Sequence, residues 1–429
     1  MKPVKPISSF PKLALLLLAF LASCSSNYNS QTSSQWTLAH IYNPLKSSLH
    51  PLYKVYHNNT NTSVLFFKIR TDEIFFRPNA FSNEDGCSFT LKYMLQEVGD
   101  GGNFLVDTNT FVYQFNRSDL GKFYISQIPF KATEGKSYRM KITLRDNFRL
   151  SHSIYYLDIE KQAGMGEQYF NITGLDGTPV FRNILVNDGL FRVQHASPAS
   201  TKLYISFYHN QVQASKPFLV PLSDELIYSK PDSMFIVDYS ANTALSLVYQ
   251  GLYYIRFDTL STAGVCLLRL SESFPQTKKP EELIPPLTYI TTDAEFDKLK
   301  SEINPKLAAD NFWQKTAGSI DRGREMIRLY YNRVYYSNYY FSSTREGWKT
   351  DRGMVYVVYG PPEELKKTPE QEIWIYKNKT DDSNIVFTFN YEPNRYNLNN
   401  YKLERSQSES WRWTETVYTW TSGQIFNTN

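Results

Sequence analysis

Alternation of apolar and polar residues with a period of two is the pattern that most restricts how this chain can fold. Between Tyr138 and Arg145, apolar side chains occupy every second position, and arginine, lysine or threonine fill the positions between them. Successive side chains of a β-strand point to opposite faces, so this segment is predicted to be a half-buried strand. Many short strands at this spacing predict an immunoglobulin-like β-sandwich over residues 36–162. Similar strand segments lie at residues 64–70, 111–115, 123–128 and 154–159.

A second group of strand-like segments fills residues 163–275. It ends in two strands around a turn at residues 261–264, which is typical of the closing hairpin of another sandwich. The two sandwiches in tandem are predicted to form a stalk. Residues 276–290 combine prolines with lysine and glutamate pairs, a composition that predicts a stiff linker.

The pattern becomes helical after this linker. Thr292 and Glu295 have the spacing of a capping box, and apolar residues follow at intervals of three and four. A second helix is predicted near residues 319–340, and strand-like segments follow it. The predicted fold class is therefore mainly β, with two tandem immunoglobulin-like sandwiches followed by a helix-plus-sheet α+β domain at residues 291–405.

An apolar run near the N-terminus predicts export. It covers residues 13–23, follows Lys2, Lys5 and Lys12, and stops at Cys24. A basic start and a short apolar stretch that ends at small residues are typical of a signal peptide, here residues 1–23, and the stretch is too short for a permanent membrane span. The order Leu-Ala-Ser-Cys resembles the lipobox of bacterial lipoproteins, which implies that Cys24 carries acyl chains such as palmitate. The alternative is an ordinary secretory signal with a chance cysteine.

The residues after Cys24 bear on localisation. Ser25, rather than Asp, follows the cysteine, and by resemblance to lipoprotein sorting this implies an outer-membrane protein anchored through acylated Cys24. No acidic residue occurs before Asp72, whereas acidic clusters mark some surface lipoproteins, so the periplasmic side is favoured over the cell surface. Residues 24–35 are polar and are predicted to be a flexible tether.

Composition excludes some functions and favours others. Lys and Arg exceed Asp and Glu by four, and three of the lysines lie within residues 1–23, so the rest of the chain is nearly neutral and offers no electrostatic basis for nucleic-acid binding. The 32 Tyr and 28 Phe residues favour half-buried sheets or partly wet interfaces. Cys87 and Cys266 fall in different predicted domains, so two isolated buried thiols are favoured over a disulfide.

One motif stands out in the C-terminal half. Gly347-Trp348-Lys349-Thr350-Asp351 is followed by Arg352-Gly353, an apolar stretch and Tyr359-Gly360-Pro361-Pro362. This run is similar to the signature of the GWxTD-domain family of exported bacterial proteins, and the resemblance implies no particular reaction. We predict a tight turn at Gly347 and Gly353 that leads into a buried strand at residues 354–359. The motif residues with a structural or docking role are predicted to be Gly347, Trp348, Thr350, Asp351, Arg352, Gly353, Tyr359, Gly360 and Pro361.

The order of helices and strands in this domain has a weaker resemblance. A Tyr-Gly-Pro-Pro end, a Trp-Tyr strand at residues 373–376 and a further strand at residues 386–389 resemble the layout of the small lipoprotein of the outer-membrane barrel-assembly machinery. The resemblance implies a protein-docking module and an outer-membrane protein complex as partner, in barrel assembly or in secretion.

No catalytic or metal-binding motif is found. The six histidines are scattered, no Cys-x-x-Cys or His-x-x-x-His pair occurs, and the hydrolase, nucleotide-binding and dinucleotide motifs are missing. No cofactor and no metal are expected. Asp351 as a general acid or base is the enzymatic alternative, and it would need a partner group, because no histidine follows His209.

The end of the chain, residues 406–429, is rich in aromatics. Trp411 and Trp413 alternate with polar residues, which predicts a strand that either docks on the sheet edge of a partner or covers an edge of its own domain. The candidate docking residues are Trp411, Trp413, Tyr418 and Trp420.

The sequence as a whole predicts a non-enzymatic outer-membrane lipoprotein that docks onto an envelope protein complex. The alternative is a glycan-binding or polysaccharide-handling lipoprotein, because tandem sandwiches can present Tyr and Trp platforms to sugars.

Overall fold

The computed structural model describes residues 38–45, 49–78, 84–99, 102–162, 166–186, 189–209, 212–217, 227–368, 370–377, 384–405 and 407–426, with the side chains of 407–410 excepted. The predicted signal peptide, acylated Cys24 and the tether lie outside these residues. From Leu38 onward the chain forms one unit by its internal contacts. No helix among the described residues is long and apolar enough to cross a membrane.

Two packed sheets form the first β domain. A three-stranded sheet has the order β1-β2-β6, and in the larger sheet β4 pairs with β5 on one side and β7 on the other, followed by β8. Apolar side chains on the inward faces of both sheets form one hydrophobic cluster. The strands are β1 (Leu52–Tyr56), β2 (Thr62–Arg70), β3 (Arg77–Pro78), β4 (Asp85–Gly99), β5 (Gly102–Asn116), β6 (Phe123–Lys131), β7 (Lys136–Asp146) and β8 (His152–Lys161).

The second β domain has one large sheet and one small sheet. The large sheet has the order β10-β15-β14-β12-β13, in which β10 is parallel to β15, and the small sheet pairs β9 with β11. Apolar residues of both sheets pack together. The strands are β9 (Phe170–Gly174), β10 (Ile184–Val186), β11 (Phe191–His195), β12 (Lys202–His209), β13 (Ser233–Asp238), β14 (Gly251–Arg256) and β15 (Val265–Leu270).

Helices and a four-stranded meander form the C-terminal domain. Its helices are α1 (Pro280–Leu283), α2 (Asp293–Ser301), α3 (Pro305–Ala317), α4 (Ile320–Phe341), α5 (Asp351–Tyr359) and α6 (Gln407–Thr421). Its antiparallel strands are β16 (Glu364–Lys367), β17 (Gln371–Lys377), β18 (Asn384–Tyr391) and β19 (Tyr401–Leu403). The prediction of a mainly β chain with a C-terminal α+β domain is confirmed.

The strand predicted at residues 354–359 is wrong, because this segment is helix α5. Thr350 caps the N-terminus of α5, and Gly360 follows its C-terminus with a φ of 84°. All nine residues of α5 are buried. Residues 354–359 form a continuous apolar run, and periodicity alone cannot distinguish a buried helix segment of this length from a buried strand.

The strand predicted in the C-terminal tail is also wrong, because the tail forms helix α6. Trp413 and Trp420 are buried and lie seven residues apart, which places them on one face of the helix. Trp411 and Trp413 alternate with polar residues in the sequence, which is why a strand was predicted. In the helix, residues two apart lie on opposite faces, so Trp411 is exposed and Trp413 is buried.

Both ends of the described chain pack into the C-terminal core. A short 3-10 helix at Leu38–Ile41 precedes Tyr42, and the buried side chains of Ala39 and Tyr42 belong to the same cluster as the C-terminal helices and sheet. In the predicted linker, the 3-10 helix Pro285–Tyr289 also contributes buried residues to the fold, namely Pro286, Leu287 and Tyr289. The first described segment of the chain thus packs with the C-terminal domain.

The two described cysteines do not form a disulfide. Cys87 and Cys266 are both buried, and they belong to separate hydrophobic clusters in the first and second β domains. The expected pair of isolated thiols is confirmed.

Candidate functional site

Two glycines of the motif allow three backbone segments to touch. A Cβ atom on Gly347 would lie 2.0 Å from the carbonyl oxygen of Ser337 in α4. A Cβ atom on Gly353 would lie 1.8 Å from the carbonyl oxygen of Gly347. Side chains cannot fit at these distances, so the turn at Gly347 can lie between α4 and α5 only because both residues are glycine.

Trp348 and Thr350 fix the turn through backbone contacts. The amide nitrogen of Trp348 donates to Asn338 Oδ1 (3.2 Å), and its carbonyl oxygen accepts from the Tyr289 hydroxyl (2.6 Å). The Thr350 hydroxyl donates to the Gly347 carbonyl (2.7 Å) and accepts from the Gly353 amide (3.0 Å). Thr350 thus acts as the N-cap that begins α5.

Asp351 holds the edge of the sheet against α5. Its Oδ1 is 2.7 Å from Arg405 Nη2, and its Oδ2 is 3.0 Å from Arg405 Nη1, which makes a bidentate ion pair. Oδ2 also accepts from the Leu403 amide of β19 (2.8 Å). Asp351 is 4% exposed. Both carboxylate oxygens are engaged in holding the fold together, which does not suit a general acid or base.

Arg352 belongs to a buried charge network. Its Nη1 is 3.3 Å from Glu372 Oε1 and 3.3 Å from the Tyr42 hydroxyl. Its Nη2 donates to the carbonyl oxygen (3.0 Å) and to Oδ1 (2.9 Å) of Asn399. The guanidinium also stacks on the ring of Tyr401, 4.0 Å from its centroid. Arg352 therefore joins α5, β17, the loop before β19 and the N-terminal segment.

Glu372 is the acidic centre of this network. It is 0% exposed, and it accepts from Lys367 Nζ (3.0 Å), Trp374 Nε1 (3.2 Å) and the Tyr42 hydroxyl (3.0 Å). Burial raises the pKa of Glu372, but Lys367 and Arg352 more than offset this effect, so the pKa lies at about 2. Glu372 is thus ionised, and the same pairing raises the pKa of Lys367.

The end of the motif surrounds a buried arginine that was not predicted as a site residue. Arg333 of α4 donates from Nη1 to the Val358 carbonyl (2.7 Å) and from Nη2 to the Phe426 carbonyl (2.7 Å). A Cβ atom on Gly360 would lie 3.0 Å from this guanidinium. Burial lowers the pKa of Arg333 to about 10. Tyr359 is buried against Phe387, whereas Pro361 is partly exposed after the helix.

The four tail residues divide between two faces of α6. Trp420 donates from Nε1 to the Val358 carbonyl (3.0 Å), and Trp413 packs on Tyr359. Trp411 and Tyr418 are 64% and 71% exposed. The tail therefore covers its own domain with one face and leaves two aromatics on the other.

Strand β13 is an edge strand with exposed apolar side chains, as is β5 with Phe104, Leu105 and Val106, and the sequence singled out neither as a site. Strand β13 lies at the end of its sheet and pairs only with β12 among the described strands. Met234, Phe235 and Ile236 are 52%, 45% and 56% exposed, so both faces of the strand carry exposed apolar side chains. Three apolar residues in succession have no period of two, so the sequence does not indicate which side chains of this strand are exposed.

Metal ligands are not gathered at any of these places. Among the described residues, no group of three or more His, Cys, Asp or Glu side chains is arranged to hold a metal ion.

Comparison with known proteins identifies a domain family in the C-terminal part of the chain. A family model described as the GWxTD domain matches residues 251–422, from β14 of the second β domain to the end of α6. No curated protein matches the chain. The matched range contains the whole Gly347–Pro361 motif and its contacts with α4, β17 and β19. The C-terminal part of this chain, residues 251–422, is a GWxTD domain.

Proposed function

We propose that this chain is a non-enzymatic outer-membrane lipoprotein that docks onto an envelope protein complex through strand β13. The observation that supports the proposal best is that β13 pairs on one side only among the described strands and exposes three consecutive apolar side chains. Exposed edges of soluble proteins are usually blocked by charges, prolines or covering loops. Within β13 the only charged residue is Asp238, at its end.

The occupant that fits this edge is an extended, uncharged segment of another envelope protein. A free strand edge offers unpaired backbone N–H and C=O groups, and an added β-strand is the structure that satisfies a row of them. Phe235 lies on one face of β13, and Met234 and Ile236 lie on the other, so an added strand would gain apolar contacts on both faces.

The predicted anchor supports this location. A lipid-modified cysteine contributes roughly 0.8 kcal/mol for each buried methylene, so several acyl chains on Cys24 would hold the protein at a membrane. We propose the outer membrane, with the domains on its periplasmic side. The engagement of Asp351 by Arg405 and Leu403 supports a structural motif rather than a catalytic one.

Site-specific cross-linking tests the docking edge. A photo-reactive amino acid in place of Ser233, at the exposed start of β13, is expected to cross-link in cells to one segment of an envelope protein, identified by mass spectrometry. The double variant Met234→Lys and Ile236→Lys should abolish this cross-link, because charges block strand addition. The matched control is Leu260→Lys, which changes an exposed leucine in a turn outside β13.

Two results would contradict the proposal. One is a cross-link that survives the double lysine variant, since the partner would then not lie along β13. The other is a chain whose position 233 captures nothing at native expression. Thermal unfolding of both lysine variants should match that of the parent, because all three positions are already exposed.

The anchor has a separate test. Mass spectrometry of the processed N-terminus is expected to find acylated Cys24, and Cys24→Ser should move the protein from the membrane fraction to the soluble fraction. An unmodified N-terminus at another residue would exclude the lipoprotein assignment and would leave the β13 experiment unaffected.

A further inference from the structure

An open cleft lies where the first β domain, the second β domain and the C-terminal domain meet. Its empty volume is about 820 Å³, part of which is open to solvent. Ser153 and Tyr155 of β8 form one wall, Tyr339 and Tyr340 of α4 form another, and Arg182 approaches from the second β domain. The floor is formed by Arg352 and Lys367 of the charge network, with Asn399 beside them.

Several polar atoms in this cleft lack a hydrogen-bond partner among the described residues. They are Ser153 Oγ, the Tyr340 hydroxyl and His50 Nε2, all of which are shielded from solvent. Ser153 is only 8% exposed. The other ring nitrogen of His50, Nδ1, lies 3.3 Å from Glu73 Oε1, so a neutral His50 presents Nε2 as an acceptor. Buried polar atoms are normally paired, so these three indicate that a polar ligand or water completes the site.

The cleft carries an excess of positive charge. Arg352 and Lys367 share one carboxylate, Glu372, which leaves one cation of this network uncompensated. Arg182 forms no ion pair with the described residues, and its guanidinium lies over the Tyr339 ring, 4.2 Å from the centroid. Glu73 is the nearby acid, and it is held by His50 and by Arg70.

The backbone at Arg182 is held in an unfavourable conformation. Arg182 and Asn183 have φ values of 62° and 53°, in the left-handed region, which costs roughly 1 kcal/mol for each residue other than glycine. Strained residues of this kind often lie at binding sites, where the surrounding structure fixes them. Here the strained turn presents a guanidinium to a cleft built by two other domains.

We propose that this cleft binds an acidic sugar, meaning a sugar ring that carries a carboxylate or a phosphate. Arg182 and Lys367 bind the acid group, because a guanidinium and an ammonium recognise both anions. Ser153, Tyr340 and His50 pair with the sugar hydroxyls, and the exposed ring of Tyr155 at the mouth packs against the sugar face. This site is separate from β13 and does not depend on the docking proposal.

Calorimetric titration of the purified full chain tests the proposal with four probes. These are D-glucuronate, D-glucose 6-phosphate, D-glucose and inorganic phosphate. At least one acidic sugar is expected to bind at one site per chain, about tenfold or more tighter than glucose and than phosphate. The comparison of glucuronate with glucose 6-phosphate identifies which acid group is preferred.

Three variants locate the binding. Arg182→Gln should weaken the preferred acidic sugar about tenfold or more, and Tyr340→Phe should weaken it several-fold by removing one hydroxyl. The matched control is Arg324→Gln, an exposed arginine on the same helix as Tyr339 but about 22 Å away at 1.5 Å per residue. This control should bind like the parent.

Clear outcomes would overturn the inference. If inorganic phosphate binds as tightly as glucose 6-phosphate, the sugar ring contributes nothing to binding, and the ligand is not a sugar. If glucose and the acidic sugars bind equally tightly, the acid group of the sugar is not recognised. Equal weakening by Arg182→Gln and Arg324→Gln would place the ligand elsewhere, and no binding of any probe would exclude the site.

Discussion

The buried acids of the C-terminal domain and the buried lysine of the first β domain are held in opposite ways. In the C-terminal domain, the buried acids have cationic partners: Glu372 contacts Arg352 and Lys367, and Asp351 contacts Arg405. In the first β domain, the fully buried Lys161 has no carboxylate in contact among the described residues. Its Nζ donates to the carbonyls of Thr62 (2.8 Å) and Ala132 (2.8 Å) and to Ser63 Oγ (3.1 Å).

The two arrangements have different consequences for ionisation. In the C-terminal domain, pairing keeps the acid ionised, with the pKa of Glu372 at about 2. In the first β domain, burial lowers the pKa of Lys161 to about 8. Burial, and then the charge of Lys161, lower the pKa of the neighbouring His57 to about 4. Paired charges fix the packing of a helix on a sheet, whereas an unpaired cation makes stability depend on pH.

Loss of the close backbone contact between Gly353 and Gly347 should have the largest effect on the folding of the C-terminal domain. In Gly353→Ala, the new methyl group would meet the Gly347 carbonyl at 1.8 Å, so we expect this domain not to reach its native packing. Six of the seven tryptophans lie in residues 313–420, so native tryptophan fluorescence reports on this domain.

The matched control for this change lies in the first β domain. Gly121→Ala places a methyl group where no atom lies within 4 Å, and it should leave fluorescence and thermal unfolding unchanged. A native fluorescence spectrum in Gly353→Ala would show that the helix contact is looser than described.

Removal of the shared acid should have the next largest effect. Glu372→Gln leaves Arg352 and Lys367 buried without their counter-charge, and the free energy of unfolding should fall by about 3–5 kcal/mol. Urea unfolding followed by tryptophan fluorescence measures this change. Glu370→Gln, an exposed change two residues earlier, is the control.

The same variant has a predicted pH signature. The folded pKa of Glu372 is about 2, below its ordinary value of 4.5, so its contribution to stability is complete above pH 4.5 and is lost as pH falls towards 2. Glu372→Gln should lose that part of the acid dependence. An unchanged acid profile would mean that Glu372 is not the ionised centre of the network.

The buried cation of the first β domain should give the smallest of these effects. The folded pKa of Lys161 is about 8, below its ordinary value of 10.5, so the unfolded chain holds more protons between these values. Stability should therefore rise with pH in this window, by an amount on the order of 2 kcal/mol.

Lys161→Met tests this statement, because it should remove the rise. Urea unfolding is followed by far-ultraviolet circular dichroism at pH 8 and pH 10 for parent and variant. The difference between the two proteins does not contain the contribution of the many tyrosines, because both proteins share it. A parent and variant with the same pH dependence would show that Lys161 is charged and compensated.

The predictable parts of this fold are those with one face in water. The alternation at Tyr138–Arg145 predicted β7 because one side of that strand is buried and the other is solvated. Helix α5 could not be predicted in this way, since both its faces are buried. In α6, the two-residue alternation of Trp411 and Trp413 predicts a strand, whereas the seven-residue spacing of Trp413 and Trp420 is typical of a helix, and the structure follows the second spacing.

The motif was easier to find than its partners. The glycines and Thr350 lie together in sequence, so the sequence alone indicated a tight turn. Arg405, Glu372 and Tyr42 come from distant parts of the chain, and local spacing cannot predict such contacts. One signal was present: Glu372 occupies the inward register of β17 with Trp374 and Tyr376, and an acid on an apolar face needs a buried partner.

The placement of Tyr42 sets an order for biosynthesis. A nascent chain emerges N-terminus first, but the partners of Tyr42, Glu372 and Tyr356, are made more than 300 residues later. The first described turn can therefore reach its native contacts only after residues 356–372 have been made. A recombinant fragment that begins at residue 251, where the family match begins, would lack Ala39 and Tyr42. The C-terminal core residues that these side chains cover would then be exposed.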